Sequence, residues 1–386
     1  MALNSAVSQA LDIQLAVGAE SSRRVGIHAA ALVGKGAAAL LVCDPFIAQS
    51  GLAAGTMESL ADAGFDFETF TDIQSDPLAA QVDRAAEQAR RIGAQVIVGI
   101  GGGSALDVAK LAAATAAGDA PSSAYACMDR PIPDRTLPII AVPTTAGTGS
   151  EVTRTTVYTL DSGAKVWAWG EALRPKVAVL DPILTMGLPP FLTAATGIDA
   201  MVHAIEACTN NRRPNPSADG WAHEAIALVA EWLPVALARP DDLEAREALQ
   251  RAALLAGAAI DSCGTAIAHA LGHALGAIGH IHHGRAVGLC LRVALPGNIA
   301  AAPDRHAAVA QAMGTGLETL AEAYDVFLRS SGIEIGLEKD GLGTADLDRL
   351  TRATLEPANR PMIEPNCRKL SDRDVADLAE ALLRAA

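Results

Sequence analysis

Five of the chain's nine histidines fall in the fifteen residues from His269 to His283. Imidazole is the commonest metal ligand, and its ordinary titration lies near neutrality, so such a cluster asks for a chemical role. His269 and His273 stand four apart in Ala/Leu-rich sequence, which places both on one face of a helix predicted over 266–275. Gly272, Gly276 and Gly279 are expected to loosen the chain after it, with His280, His282 and His283 in a loop that Gly284 closes. A helix and the turn that follows it can aim His269 and His283 at one point. Some seventy residues earlier, GIDAMVHAIEAC sets Asp199 and His203 four apart on another predicted helix face. Pairs of this kind on separate helices are how helix bundles build metal sites. Asp199, His203, His269 and His283 together offer one carboxylate and three imidazoles, with a position left for substrate. Plainer readings stand beside this one: a histidine-rich surface loop, and a capping acid with a satisfied core histidine.

A second group of residues suits a nucleotide. The predicted strand 95–99 runs into GIGGGSALDVAK, where Gly101, Gly102 and Gly103 let backbone approach a ligand and Ser104 is placed as N-cap of the next helix. Free N–H groups at a helix start favour a pyrophosphate, although a simple tight turn explains the same glycines. The spacing is neither GxGxxG nor a P-loop. The strand 139–142 ends in PTTAGTGSEVTR, whose Thr144, Thr145 and Thr148 suit diphosphate and ribose contacts. Asp44 follows the strand 38–43 directly. A carboxylate there accepts from adenosine ribose hydroxyls and repels a 2′-phosphate; a turn residue before Pro45 is the other reading.

These residues need a scaffold of two kinds. Up to about residue 181, β-type runs (38–43, 65–70, 95–99, 139–142, 177–180) alternate with helical stretches (46–63, 78–91, 105–117), the pattern of a parallel sheet covered on both faces. From Pro190 onward helix follows helix, with Asp242 and Ser371 as N-caps. The expected domains are 1–185, α/β and nucleotide-binding, and 186–386, all-helical and metal-binding, with the active site in the cleft between them. A chain of 386 residues is long enough for two cores. Its net charge of −14 argues against nucleic acid and anionic membranes as partners. The six cysteines are scattered without a CxxC pair, as in a reducing compartment. The N-terminus lacks a signal-peptide pattern and no apolar run reaches membrane-span length, so a soluble, cytoplasmic protein is expected.

The stretches GGGSALDVAK (101–110), PTTAGTGSEVT (143–153), LDP (180–182), GIDAMVHAIEA (197–207) and HALGHALGAIGHIHHG (269–284) resemble the iron-containing (group III) alcohol dehydrogenases, a family that shares its fold with glycerol dehydrogenase and dehydroquinate synthase. The resemblance implies metal ligation by Asp199, His203, His269 and His283, with Fe(II) as the ion and Zn(II) second. It implies NAD, with NADP second, bound by the glycine triplet and threonine loop; Asp107 and Lys165 join Asp44, Gly101, Gly102, Gly103, Ser104, Thr144, Thr145 and Thr148 as cofactor contacts. His273 matches a histidine near the nicotinamide and is a candidate proton relay, while His280 and His282 are bystanders. The implied activity is hydride transfer between NAD(H) and a small alcohol or aldehyde, in a homodimer. A lyase of the dehydroquinate-synthase type and a non-catalytic metal- or nucleotide-binding protein are the alternatives. Arg154, Lys165, Arg285 and Arg368 are candidates for recognising an anionic substrate. Asp76-Pro77, Arg154 after the Glu-Val-Thr run, and the loosely matching PNCRKLS (365–371) depart from the family pattern.

Overall fold

The computed structural model describes residues 2–212 and 215–384. The chain separates into two compact units, the first comprising residues 1–145 and 149–186, the second 146–148 and 187–386.

The first unit is α/β. Its strands are β1 (Gln14–Val17), β2 (Ala38–Val42), β3 (Asp66–Phe70), β4 (Val96–Gly101), β5 (Ile139–Pro143), β6 (Thr155–Thr159), β7 (Lys165–Trp169) and β8 (Val177–Leu180). Six form one sheet in the order β1-β8-β5-β4-β2-β3, parallel throughout, and β6 and β7 form a separate antiparallel hairpin. The central strands β4, β5 and β8 are buried along their whole length, as strands covered on both faces must be. The helices are α1 (Ala2–Leu11), α2 (Val25–Val33), α3 (Pro45–Ser50), α4 (Ala54–Asp62), α5 (Ala79–Arg91) and α6 (Gly103–Ala117). The single helix expected over 46–63 is two, because Gly51 turns left-handed (φ 84°) at the end of α3.

The strand order fixes where a ligand belongs. From β2 the chain steps outward to β3, then returns to place β4 on the other side of β2, so the order reverses between β2 and β4. Ligands of open α/β sheets bind beyond the carboxyl ends of strands at such a reversal. Asp44 follows β2 there and Gly101 ends β4.

The second unit is helical: α7 (Pro190–Thr209), α8 (Pro216–Ala238), α9 (Leu243–Cys263), α10 (Ile267–Gly279), α11 (His283–Ala301), α12 (Pro303–Ala312), α13 (Leu320–Ser330), α14 (Leu347–Thr354), α15 (Arg360–Ile363) and α16 (Asp372–Leu383). The side chains of Asn215, Asp242 and Ser371 cap α8, α9 and α16. α7 is the unit's axis, buried from Thr193 to Thr209 and packed on α8, α9 and α11. Small residues permit this closeness. A Cβ at Gly284 would fall 1.9 Å from the carbonyl oxygen of Ala195, so the start of α11 lies directly on α7.

Two expectations about the histidine stretch need correction. Glycines 272, 276 and 279 do not loosen the chain, since α10 runs through all three. The cost of glycine in a helix, about 1 kcal/mol each, is outweighed by burial of Ile267, Leu271 and Leu275 on the same helix. His283 is not in a loop but is the first residue of α11.

Candidate active site

In the second unit, α7 carries Asp199 and His203, α10 carries His269, and α11 opens with His283. One potential ligand atom from each lies within 4.8 Å of all the others. Asp199 Oδ1 stands 3.8 Å from His203 Nδ1, 3.9 Å from His269 Nε2 and 3.4 Å from His283 Nε2. An ion bound at about 2.1 Å holds neighbouring donors roughly 3–4 Å apart, so the spacing fits. The satisfaction of the donors argues the same way. Asp199 Oδ1, His203 Nδ1 and His269 Nε2 are buried without a hydrogen-bond partner. Leaving one such group bare costs about 1–3 kcal/mol; three converging on one point make a cation site. Burial pushes the His203 imidazolium down to about 4, although Asp199 pulls the other way, so the ring is neutral and ready to ligate at pH 7. The donor set is a borderline one that suits first-row divalent ions.

The first unit assembles the nucleotide residues at the strand-order reversal. Gly101 has φ 149°, which side-chain-bearing residues rarely adopt, and the turn it makes lets α6 begin at Gly103. Gly102 is therefore the N-cap and Ser104 lies inside the first turn, a correction to the expected cap. The position of a Cβ at Gly101 is 3.6 Å from Asp44 Oδ2, and one at Gly102 is 3.4 Å from Thr145 Cγ2. Thr144 N–H donates to the Gly101 carbonyl at 2.9 Å. Asp44, the glycine turn, Thr144 and Thr145 thus surround the start of α6. Asp44 also caps α3, accepting from Ile47 N–H at 2.9 Å through Oδ1. Thr148 belongs to the second unit.

Two family models match the sequence, one described as iron-containing alcohol dehydrogenase over residues 14–182 and one as the C-terminal region of the Fe-containing alcohol dehydrogenase family over residues 193–383. An NAD-dependent methanol dehydrogenase of Bacillus methanolicus is 32% identical over 363 residues, covering 89% of this chain and 92% of that one. The chain belongs to the iron-containing alcohol dehydrogenases. A sulfoacetaldehyde reductase of Bilophila wadsworthia is 31% identical, covering 91% of this chain and 93% of its own. The crystal structure of a sulfoacetaldehyde reductase from Bifidobacterium kashiwanohense in complex with NAD+ superposes with a TM-score of 0.88 at 31% identity, covering 96% of this chain and 97% of that one.

Not every expected site residue of this iron-type dehydrogenase is open to a ligand. The carboxylate of Asp107 accepts from Ser150 Oγ (2.6 Å) and Val157 N–H (2.8 Å) and lies 3.5 Å from Lys110 Nζ. In this way it ties α6 to the hairpin strand β6. Lys110, fully buried, donates to the carbonyls and hydroxyls of Ser150 and Thr153. Lys165 is held by Asp76 at 2.5 Å.

The candidate anion readers are also committed. Arg154 pairs with Glu171 and stacks over Trp169, and Arg368 pairs with Asp374. Arg285 bonds Asp340 (2.9 Å) and the carbonyls of Glu334 and Gly336. His273 lies beside the metal ligands without joining them, its ring 5.4 Å from that of His283 and 6.3 Å from that of His269. His280 is exposed at the end of α10, and His282 meets Phe191 edge-on at 5.6 Å.

Sequence reasoning missed Glu206. It is 1% exposed, on α7, with its carboxylate 2.6 Å from His269 Nδ1. The signal was present: Asp199, His203 and Glu206 stand at i, i+4 and i+7, one stripe of a helix.

Proposed function

We propose that this iron-type dehydrogenase transfers hydride between NAD(H) and a small neutral alcohol or aldehyde. The observation that carries the reading is the converging set of three unpartnered buried donors and His283. When bound, the divalent ion supplies Lewis acidity toward the substrate oxygen. The chain's own residues do the rest. Asp199 offsets part of the ion's charge, while the neutral imidazoles leave it electrophilic. The start of α6 and the glycine turn hold the pyrophosphate, and Thr144 and Thr145 line the same turn. Asp44, beside the glycine turn, would accept from the adenosine ribose and disfavour a 2′-phosphate, which supports NAD over NADP. A ring nitrogen of His273, beside the ligand histidines, takes the substrate hydroxyl proton and passes it to solvent. Cysteines scattered without a CxxC pair support work in the reducing cytoplasm, and the family resemblance supports a homodimer.

An anionic aldehyde is a second reading, favoured by the similarity to sulfoacetaldehyde reductases. The pairing of Arg154, Lys165, Arg285 and Arg368 with carboxylates favours the neutral substrate. One assay tests both: chelator-stripped protein, reloaded with Fe(II) or Zn(II), is given NAD or NADP with short alcohols and diols, or NADH with neutral and sulfonated aldehydes. Metal-dependent net NADH formation is expected, with NAD preferred. Full turnover by metal-free protein, or no net redox change with any substrate, sinks the reading.

A further inference from the structure

Glu206 has contacts that no role described so far explains. Oε1 accepts from Ala268 N–H at 2.6 Å, and Oε2 accepts from Ala266 N–H at 2.7 Å while facing His269 Nδ1 at 2.6 Å. Ala266 and Ala268 belong to the start of α10, whose N-cap is Ala266 itself, with no capping side chain. Alanine is among the poorest N-caps, and a buried helix start without acceptors leaves N–H groups unsatisfied. The acceptor comes instead from another helix. The partial positive charge of a helix start favours a carboxylate in that place.

The same oxygen decides which nitrogen of His269 is basic. A neutral imidazole carries one N–H and one lone pair. Oε2 already receives a backbone N–H and lies 2.6 Å from Nδ1, so Nδ1 is the donor and Nε2 keeps its lone pair. Nε2 is the nitrogen that turns toward Asp199 Oδ1 and has no other partner. The geometry points to Glu206 as a positioning residue of the metal centre: it completes the N-terminus of α10 and, with the same carboxylate, fixes His269 in the tautomer and orientation that ligate through Nε2. First-turn folding of α10 and readiness of its ligand are thereby one event. The inference rests on the metal-site reading above.

The test is a Co2+ titration of metal-free wild type, Glu206→Gln and Glu206→Ala, following the visible ligand-field bands, with Zn2+ affinity measured by competition and thermal unfolding of each metal-free protein. Glu206→Gln keeps the shape but turns one acceptor into a donor. Zn2+ affinity is expected to fall about 10–100-fold in the variants, less for Gln than for Ala, with shifted Co2+ bands. A merely structural role lowers the unfolding temperature and leaves the affinity and bands of folded protein unchanged; that result overturns the inference. If Glu206→Ala does not fold, Glu206→Gln decides. Wild type that takes up no Co2+ overturns the metal reading and this one with it, whereas wild-type uptake with unaltered Glu206→Gln affinity overturns this one alone.

Discussion

The polar residues of the metal centre and those around the nucleotide loops are buried in opposite conditions. Asp199, His203 and His269 each hold a buried donor atom without a partner. Lys110, Ser150 and Thr153 are equally enclosed, yet with the half-buried Asp107 they bind one another through a web of contacts. Both groups sit inside sequence motifs, and motif membership does not separate them. Satisfaction does. An unsatisfied buried atom awaits a ligand, whereas a satisfied one holds the backbone that meets the ligand.

That contrast predicts opposite consequences of mutation. Lys110→Met should cost about 3–5 kcal/mol of stability, the usual penalty for removing one member of a buried charged network. Denaturant unfolding would register it, with weaker NAD binding as the loop loosens. Unchanged stability would mean that the web is ornamental. Asp199→Ala should do the reverse. Structural zinc sites supply about 10–16 kcal/mol over their ligands, so losing one of four should lower metal affinity by about two to three orders of magnitude. The metal-free variant should unfold no earlier than metal-free wild type, because a partnerless buried oxygen has been removed. A lower unfolding temperature would place Asp199 in the scaffold instead.

The two regions should also answer pH with opposite signs. His203 titrates at about 4 in the fold against 6.5 ordinarily, so metal-free protein loses stability as pH falls from 6.5 toward 4. Burial raises Glu151, in the threonine loop, from 4.5 to about 7. Its contribution is present below 4.5 and is lost as pH rises to about 7. Each is worth on the order of 3 kcal/mol. The two windows overlap, so the effects offset each other between about pH 4.5 and 6.5. Thermal unfolding of metal-free wild type should be nearly flat there and fall on either side, whereas Glu151→Gln should lose the alkaline fall and uncover a rise in stability from pH 4 to 6.5. An alkaline limb that persists in Glu151→Gln removes that residue from the account.

Sequence patterning made much of this legible, for identifiable reasons. Strands buried on both faces are continuous apolar runs, so β4, β5 and β8 stand out; β1, a half-exposed edge strand of four residues, does not. The hairpin alternates buried and half-buried residues in both β6 and β7, but its threonines blend into the hydroxyl-rich loop before it. Ligand spacing on one helix is readable because three and four residues make neighbours. The partners of Lys165 and Arg285 lie 89 and 55 positions away, and no local pattern announces them. For that reason their charges looked available. Glu206 is legible by spacing, as the next position on the Asp199–His203 stripe, but its partners Ala266, Ala268 and His269 lie 60 to 63 positions away.

The four ligands span residues 199 to 283 on three helices. A bound ion therefore acts as a reversible cross-link that closes an 84-residue loop of chain, in the way a disulfide would but under the control of metal supply. Stability of the helical unit then rises with free metal as RT ln(1 + [M]/Kd). In a cell short of iron the first loss is not only turnover but the fastening of α7, α10 and α11, and unloaded protein becomes the form that proteases meet.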